Sequence, residues 1–459
     1  MQNRKYNLTE GPILKRLVTL SMPIVATSVF QLAFNMSDMF WLSRLSEGSV
    51  AAAGTAGMYL WLSMALIMIG RMGAEIGVSQ NMGRGEPDTA RAFAQQSLMI
   101  SIVLGVLFSV SVILLREPLI GFFNIVDATV VREAEQYLMF TVMALPFMFI
   151  NNVVTGIFNG FGNTKLPFYI NSATLAINIA ATPIFIFTLD MGIVGAAIAT
   201  IIATGVNLIW KIWALTKYKN RPFEDFKLIS RVDWMRIRQI FKWGVPIAVE
   251  SALFTLLFMV VARLVADFGV DAIAAQRVGS QVESLSWMMA GGFASAVTAF
   301  IGQNYGAKKY ARLAQGYKIS LIAMAFYGIF VTLVLFIFAR PLVSIFLTEQ
   351  TTIDIGVNYL RIFALTQTLS CMSGIASGSF RGQGQTIKPT IVTVSGNVLR
   401  VIFAYTLAAT RLRLDGVWIG IAISVTIGHI WLLLWYRKNA KRMPKVDFEP
   451  EEEIAEVRT

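Results

Sequence analysis

Residues 80–83 read Gln80-Asn81-Met82-Gly83, and 223 residues further on the chain reads Gln303-Asn304-Tyr305-Gly306. The same offset carries Pro23-Ile24 onto Pro246-Ile247 and Pro118 onto Pro341. Later in each half it shrinks to 222, where Gly160, Gly162, Thr164 and Pro167 fall on Gly382, Gly384, Thr386 and Pro389, and then to 221 for Trp210 and Trp431. A nearly constant offset over so long a stretch marks an internal duplication. What is duplicated is a set of apolar segments. A helix needs about 20 mainly apolar residues to cross the hydrocarbon. The chain offers twelve such segments, at 14–42, 49–78, 92–115, 134–158, 167–189, 192–215, 239–266, 272–300, 313–339, 355–379, 389–410 and 416–436. Six precede and six follow the charged stretch KYKNRPFEDFKLISRVDWMRIRQ at 216–238. An even number of spans returns the chain to the same side, so the halves share one topology and pair about an axis along the membrane normal.

The expected fold is an all-α polytopic membrane protein, with twelve transmembrane helices in two six-helix bundles related by a pseudo-two-fold along the membrane normal. The bundles occupy 1–215 and 239–438, joined by a cytoplasmic linker at 216–238 and followed by a charged cytoplasmic tail at 439–459. Composition agrees. Of 459 residues, 56% are hydrophobic and 14% charged, against about 25% charged in a soluble domain. That excludes an ordinary soluble enzyme and a disordered chain, and the single Cys371 excludes a disulfide scaffold. No stretch alternates polar and apolar residues over about ten positions, as a membrane β-barrel strand would. No cleavable leader is expected, because the first apolar segment is too long and lacks a small-residue cleavage site.

The net charge of +12 reads as orientation. With the N-terminus in the cytoplasm, 27 of the 39 Lys and Arg residues fall in inner loops and tails and 8 in outer loops, which is the positive-inside pattern. Both termini are therefore expected in the cytoplasm of a plasma-membrane protein, and nucleic acid is not an expected partner. His429 is the only histidine, so a histidine metal cluster or a His-based catalytic triad is not expected. No GxxxxGK[ST] loop is present to bind ATP. The chain is read as a non-enzyme with no catalytic residues, no metal site and no cofactor.

One acid stands out. An ionised carboxylate at the bilayer centre costs about 2.5–3.5 kcal/mol on insertion scales, and Asp38 lies well inside the first span. Thr27, Gln31, Asn35 and Asp38 are spaced 4, 4 and 3, so they share one helical face, while Phe30, Phe34, Met36 and Phe40 cover most of the rest. Such a stripe points into a bundle or a wet cavity, where Asp38 could take up and release a proton. The plain alternative is a structural hydrogen bond to a neighbouring helix.

Pro23-Ile24, the Asn35-x-x-Asp38 pair, GAEIGVSQNMGRGEPDTAR at 73–91, GFGNTKLP at 160–167 and GIVGAAIAT at 192–200, together with the six-plus-six repeat, carry a resemblance. The chain resembles the MATE (multidrug and toxic compound extrusion) family of secondary transporters from about residue 12 to about 438, and among them the bacterial members and their DinF-like branch. The resemblance implies export of amphipathic, often cationic organic compounds in exchange for H⁺ or Na⁺, without ATP. It also adds partners to Asp38. Where many members read Asn-x-x-x-Asp-Pro in the fifth span, this chain has Asn178-Ile-Ala-Ala-Thr182-Pro183, and Thr200 matches another polar family position. One carboxylate with neutral oxygens from Asn178, Thr182 and Thr200 makes a poorer Na⁺ cage than two carboxylates, so H⁺ is the preferred coupling ion and Na⁺ the alternative.

The second half does not copy this chemistry. Asp38 falls on Val261, and Thr27 falls on Glu250. Glu283 lies mid-span in the eighth segment and Arg400 at the position of Asn178. A buried Arg is seldom alone, so Arg400 is expected to pair with Glu250 or Glu283, either as a static lock or as part of a substrate site with Gln31 and Phe34. Near the end of the second span, Arg71 and Glu75 are spaced for an i, i+4 ion pair. Other functions fit less well. A lipid-linked saccharide flippase of related build would want several basic residues in its cleft, and Arg400 is the clear mid-span one. A membrane enzyme would need clustered catalytic groups, and a channel a filter or a ring of acids. The expected partners are small amphipathic molecules and the lipid bilayer, and the expected state is a monomer.

Overall fold

The computed structural model describes residues 6–123, 125 and 127–444, apart from the side chains at positions 32, 34, 35, 36, 38 and 47. The described residues form helices and no strand. In the first half these are α1 (Ile13–Leu45), α2 (Glu47–Arg84), α3 (Pro87–Leu114), α4 (Arg116–Gly121), α5 (Ala128–Met143), α6 (Leu145–Phe161), α7 (Lys165–Pro183) and α8 (Gly192–Thr216). The second half has α9 (Trp234–Ala266), α10 (Val270–Gly306), α11 (Tyr310–Ile337), α12 (Ala339–Ser344), α13 (Gln350–Gly382), α14 (Ile387–Ala408) and α15 (Arg413–Ala440).

The repeat is visible in the helix boundaries. Adding 223 to the ends of α3 gives those of α11, and adding it to the ends of α4 gives those of α12. Among the described residues ten helices are long and apolar enough to cross a membrane, and α5 with α6, bent by 43°, makes an eleventh span. The twelfth position belongs to α13. It has 33 residues, ample length at 1.5 Å per residue, but it is too polar to stand out by hydropathy. Its polar groups include Thr366, Gln367, Ser373 and Ser379, all buried, because α13 packs against α10, α11 and α15. The twelve-helix, two-bundle layout follows, with α4 and α12 as short extra helices.

Two interruptions have local causes. Pro146 lies in the first turn of α6 and has no N–H to give to the carbonyl four residues back. That carbonyl, Val142 O, accepts a backbone N–H at the end of α5 and the Ser109 hydroxyl at 3.1 Å. After Pro183 the helix widens into a π turn, Ile184–Thr188, closed by the Leu189 N–H on Ile184 O at 2.9 Å. Prolines in α1 and α9, at Pro23 and Pro246, leave those helices continuous.

The described chain divides into two compact units. The first comprises Met22–Val78 and Asp88–Ala252. Its core joins Leu42, Ile67, Ile120, Leu138, Phe149 and Ile186, and the start of α9 belongs to it. There α9 and α2 run so close that a Cβ on Gly244 would lie 2.5 Å from Ile69 Cα. The second unit takes Ser79–Pro87, the described residues before Met22 and those after Ala252. Its core joins Val261, Val265, Tyr359, Leu360, Phe363 and Trp418. Within this unit the opening motif meets its own repeat. A Cβ on Gly83 would lie 1.9 Å from Gln303 O, and one on Gly306 would lie 1.9 Å from Gln80 O. Only glycine permits that backbone approach, which is why the motif ends in glycine twice. Residues 6–12 strap onto the same place. Leu8 is buried, its N–H donates to Gln303 Oε1 at 2.9 Å, and its carbonyl accepts from Asn304 and Arg312.

Candidate functional site

In the first unit the polar residues foreseen on α7 come together. Asn178 and Thr182 are buried one turn apart. The Thr182 hydroxyl donates to Asn178 O at 2.9 Å and lies 3.3 Å from Asn178 Oδ1. Asn178 Nδ2 is buried with no acceptor, so this pair presents one unmatched donor and the lone pairs of a hydroxyl. Thr200, half-buried on α8, donates to Ala196 O at 3.1 Å and makes no hydrogen bond to the Asn178 pair. On α1, the Thr27 hydroxyl donates to Pro23 O at 2.8 Å and Gln31 is exposed. The side chains of Phe34, Asn35 and Asp38 lie outside the described residues; their backbone is α-helical.

Below the Asn178 pair runs a second polar tier. Asn207 Nδ2 donates to Thr174 Oγ1 at 2.7 Å and to Asn171 Oδ1 at 3.1 Å. From Thr200 a chain of bonds descends between α8 and α6. Thr204 Oγ1 donates to Thr200 O, Asn151 Nδ2 to Thr204 O, and Lys211 Nζ to Asn151 O at 3.1 Å and Thr155 Oγ1 at 2.9 Å. Lys211 was missed by the sequence reading, which counted it among the loop cations. It is 2% exposed and continues the buried α8 stripe Ala199, Ala203, Asn207, Lys211. Spacings of four past Asn207 were the available signal. Arg71 lies within Coulombic reach of Lys211, and its Nε is buried without an acceptor. Among the described residues no ion pair closes between Arg71 and Glu75, although Glu75 is fully buried. The expected i, i+4 pair is not made.

The second unit holds a different cluster. Glu283 on α10 accepts from Gln367 Nε2 at 3.0 Å and from the Tyr359 hydroxyl at 3.2 Å. Gln367 in turn accepts from Ser286 Oγ at 2.9 Å, which fixes the orientation of its amide. Arg400 is within Coulombic reach of Glu283 but closes no ion pair with it among the described residues. Its guanidinium lies instead over the Phe254 ring, 5.4 Å from the centroid. His429 Nδ1 is 3.3 Å from Ser370 Oγ. Val261, at the position of Asp38, is buried in the apolar core. Glu250 is half-buried on α9 and belongs to the first unit. Among the described residues no group of three His, Cys, Asp or Glu side chains is arranged to hold a metal.

A family model described as MatE matches residues 23–184 and 246–406, once in each half. The chain is 27% identical over 434 residues to a probable multidrug resistance protein NorM of Thermotoga maritima, covering 92% of each. It is 27% identical over 441 residues to a probable multidrug resistance protein YoeA of Bacillus subtilis, covering 93% of this chain and 94% of that one. Its fold is similar to the crystal structure of a MATE protein in the bent conformation, at TM-score 0.91, 24% identity, and 96% and 99% of the two chains. A further likeness is to the outward-facing conformation of a multidrug resistance MATE family transporter of the MOP superfamily. There the TM-score is 0.90 and the identity 24%, over 97% of this chain and all of that one. With both halves matched by one model and the whole length shared with these relatives, the chain belongs to the MATE family of membrane transporters.

Proposed function

We propose that the protein is a secondary active efflux transporter of the plasma membrane. It exports amphipathic, cationic organic compounds by alternating access in antiport with H⁺, with Na⁺ as the alternative ion, and it acts as a monomer with both termini in the cytoplasm. The observation that carries this reading is the unmatched donor of Asn178 beside Thr182, buried inside the bundle whose first helix bears Asp38. A buried amide without an acceptor costs about 1–3 kcal/mol, which a site that binds and releases an ion or water can tolerate. In this reading Asp38 carries the proton, and Asn35, Asn178, Thr182 and Thr200 supply neutral oxygens and donors around it. Gln31, Phe34 and Glu250 in the first unit, and Glu283 and Arg400 in the second, are the residues assigned to substrate binding or to a charge network. The relatives named for multidrug resistance support the substrate class. A potential of 100 mV supplies about 2.3 kcal/mol per proton, roughly a fortyfold gradient at about 1.4 kcal/mol per tenfold.

The test uses proteoliposomes with an imposed pH or Na⁺ gradient and a fluorescent cationic dye. Wild type should move dye under the pH gradient at constant Na⁺, and Asp38→Asn should abolish that movement while the protein keeps its melting temperature. Gradient-driven dye movement by Asp38→Asn at the wild-type rate would remove Asp38 from the mechanism, and a requirement for Na⁺ at constant pH would replace H⁺.

A further inference from the structure

Arg400 sits in the interior of α14, flanked by Val398, Leu399, Val401 and Ile402, and among the described residues its guanidinium makes no hydrogen bond. Its Nε is buried without an acceptor. A guanidinium presents five N–H donors in a planar fork; Arg400 is half-buried, and its Nε, the donor shut away from water, is costly to leave unmatched. The acid within Coulombic reach, Glu283, offsets the charge but takes none of the donors: its oxygens accept from Gln367 and Tyr359, and among the described residues no hydrogen bond joins it to Arg400. The Phe254 face beneath Arg400 is favourable to the cation and supplies no lone pair.

A second donor points the same way. Asn397 is one turn before Arg400 on the same face of α14, is 4% exposed, and has its Nδ2 buried without an acceptor. Beside the guanidinium, Phe254 and Phe258 stack with centroids 6.2 Å apart and planes 24° from parallel. They are 41% and 40% exposed, so the cluster borders an accessible aromatic surface rather than a sealed core. Two unmatched donors beside an aromatic wall are complementary to an anionic oxygen pair attached to a flat apolar body.

We infer that Arg400 and Asn397 form a carboxylate-binding subsite, with Phe254 and Phe258 as its aromatic wall. The compounds bound by the second bundle therefore include aromatic amphiphiles that carry a carboxylate. This rests on the transport reading above for its biological use, and on the geometry alone for binding. The fork of Arg400 takes the carboxylate, and Glu283 keeps the empty site close to neutral.

The experiment measures binding to the purified full-length protein in lipid nanodiscs with no ion gradient. The probes are one xanthene dye as its free acid and as its ethyl ester, followed by fluorescence anisotropy. Wild type should bind the acid about tenfold more tightly than the ester. Arg400→Gln should bind both alike, Arg400→Lys should keep part of the preference, and Asn397→Asp should lose it by placing a carboxylate on the guanidinium. Thermal melting of each variant reports folding, and Asn397→Asp decides the matter if Arg400→Gln does not fold. Equal binding of the two dyes by wild type, or an acid preference that survives in Arg400→Gln or Asn397→Asp, would overturn the inference. It would leave Arg400 as a charge balanced by Glu283. An acid preference that persists while no gradient moves either dye would keep the subsite and remove the export reading.

Discussion

The fourth span of each half starts from the same repeat and ends in a different shape. In the first half it is broken into α5 and α6 with a 43° bend, and in the second it is the single helix α13. The packing around the break is nevertheless shared. Gly105 packs so that its Cβ would lie 3.1 Å from Pro146 Cα, and Gly328, its repeat, so that its Cβ would lie 2.6 Å from Thr368 Cα. Ser109 donates to Val142 O at 3.1 Å, and Thr332 donates to Ala364 O at 2.9 Å. Each is the same bond, 223 and 222 residues apart. The hydroxyl is therefore not a consequence of the proline. It is part of the common packing, and in the first half it also bonds the carbonyl that Pro146 leaves without its in-line helical N–H. Where the second half keeps a residue with an N–H, Thr368, its hydroxyl lies 3.2 Å from Thr332 Oγ1.

This comparison can be broken by moving the proline. An internal proline usually costs about 3 kcal/mol in a helix. In α13 the waiting Thr332 hydroxyl should bring Thr368→Pro below that, whereas Thr332→Val with Thr368→Pro leaves Ala364 O with neither partner. The double variant should therefore exceed the sum of the single ones by about 1–2 kcal/mol, measured as a double-mutant cycle of detergent unfolding. Strict additivity would mean that the hydroxyl does not compensate for a proline. A smaller effect sharpens the same point without new bends. Ser109→Ala should cost about 1 kcal/mol, because Val142 O then keeps only the N–H of the α5 cap, while Thr332→Val should cost a few tenths, since Ala364 O still accepts the in-line helical N–H of Thr368. Equal costs at the two sites would show that the hydroxyls serve packing only.

Much of this was legible before any coordinates. The duplication and the spans follow from offsets and apolar runs, and the boundaries α3/α11 and α4/α12 reproduce the offset residue for residue. The break at Pro146 was not foreseen, because the residues around it, 137–150, are almost all apolar and hydropathy is blind to a missing N–H. Helix ends were set short. The apolar run 49–78 lies in a helix that continues to Arg84, since a helix need not stop where apolarity stops. At the site, the α7 pair Asn178 and Thr182 was reached through the family resemblance, which sets Asn178-x-x-x-Thr182-Pro183 against its Asn-x-x-x-Asp-Pro. Lys211 was not picked out, because a lysine near a predicted boundary reads as loop, and only its register with Ala203 and Asn207 tells otherwise. For Arg400 both the cation and a nearby acid, Glu283, were picked out, but the expected ion pair does not close among the described residues. The oxygens of Glu283 accept instead from Tyr359 and Gln367 on α13, partners that the offsets and apolar runs do not reveal.

The smallest expected difference lies where the two halves begin. The first helix of the second half, α9, starts behind a side-chain cap. Asp233 Oδ1 accepts from the Arg236 N–H at 3.1 Å, and Oδ2 pairs with the Arg236 guanidinium. The equivalent residue in the first half is Glu10, whose backbone carbonyl accepts from Arg16 and Arg312, and no cap of this kind opens α1. The backbone N–H of Arg236, and then its charge, hold the Asp233 carboxyl below its ordinary range despite partial burial. A depressed native pKa means that the cap contributes fully above the unfolded value of about 3.9 and is lost as the pH falls through the lower native value. Asp233→Ala should cost about 1 kcal/mol at pH 7, and variant and wild type should converge in melting temperature below about pH 4. A gap that stayed constant down to pH 3 would mean that Asp233 acts through packing beside Gln96 rather than through its charge.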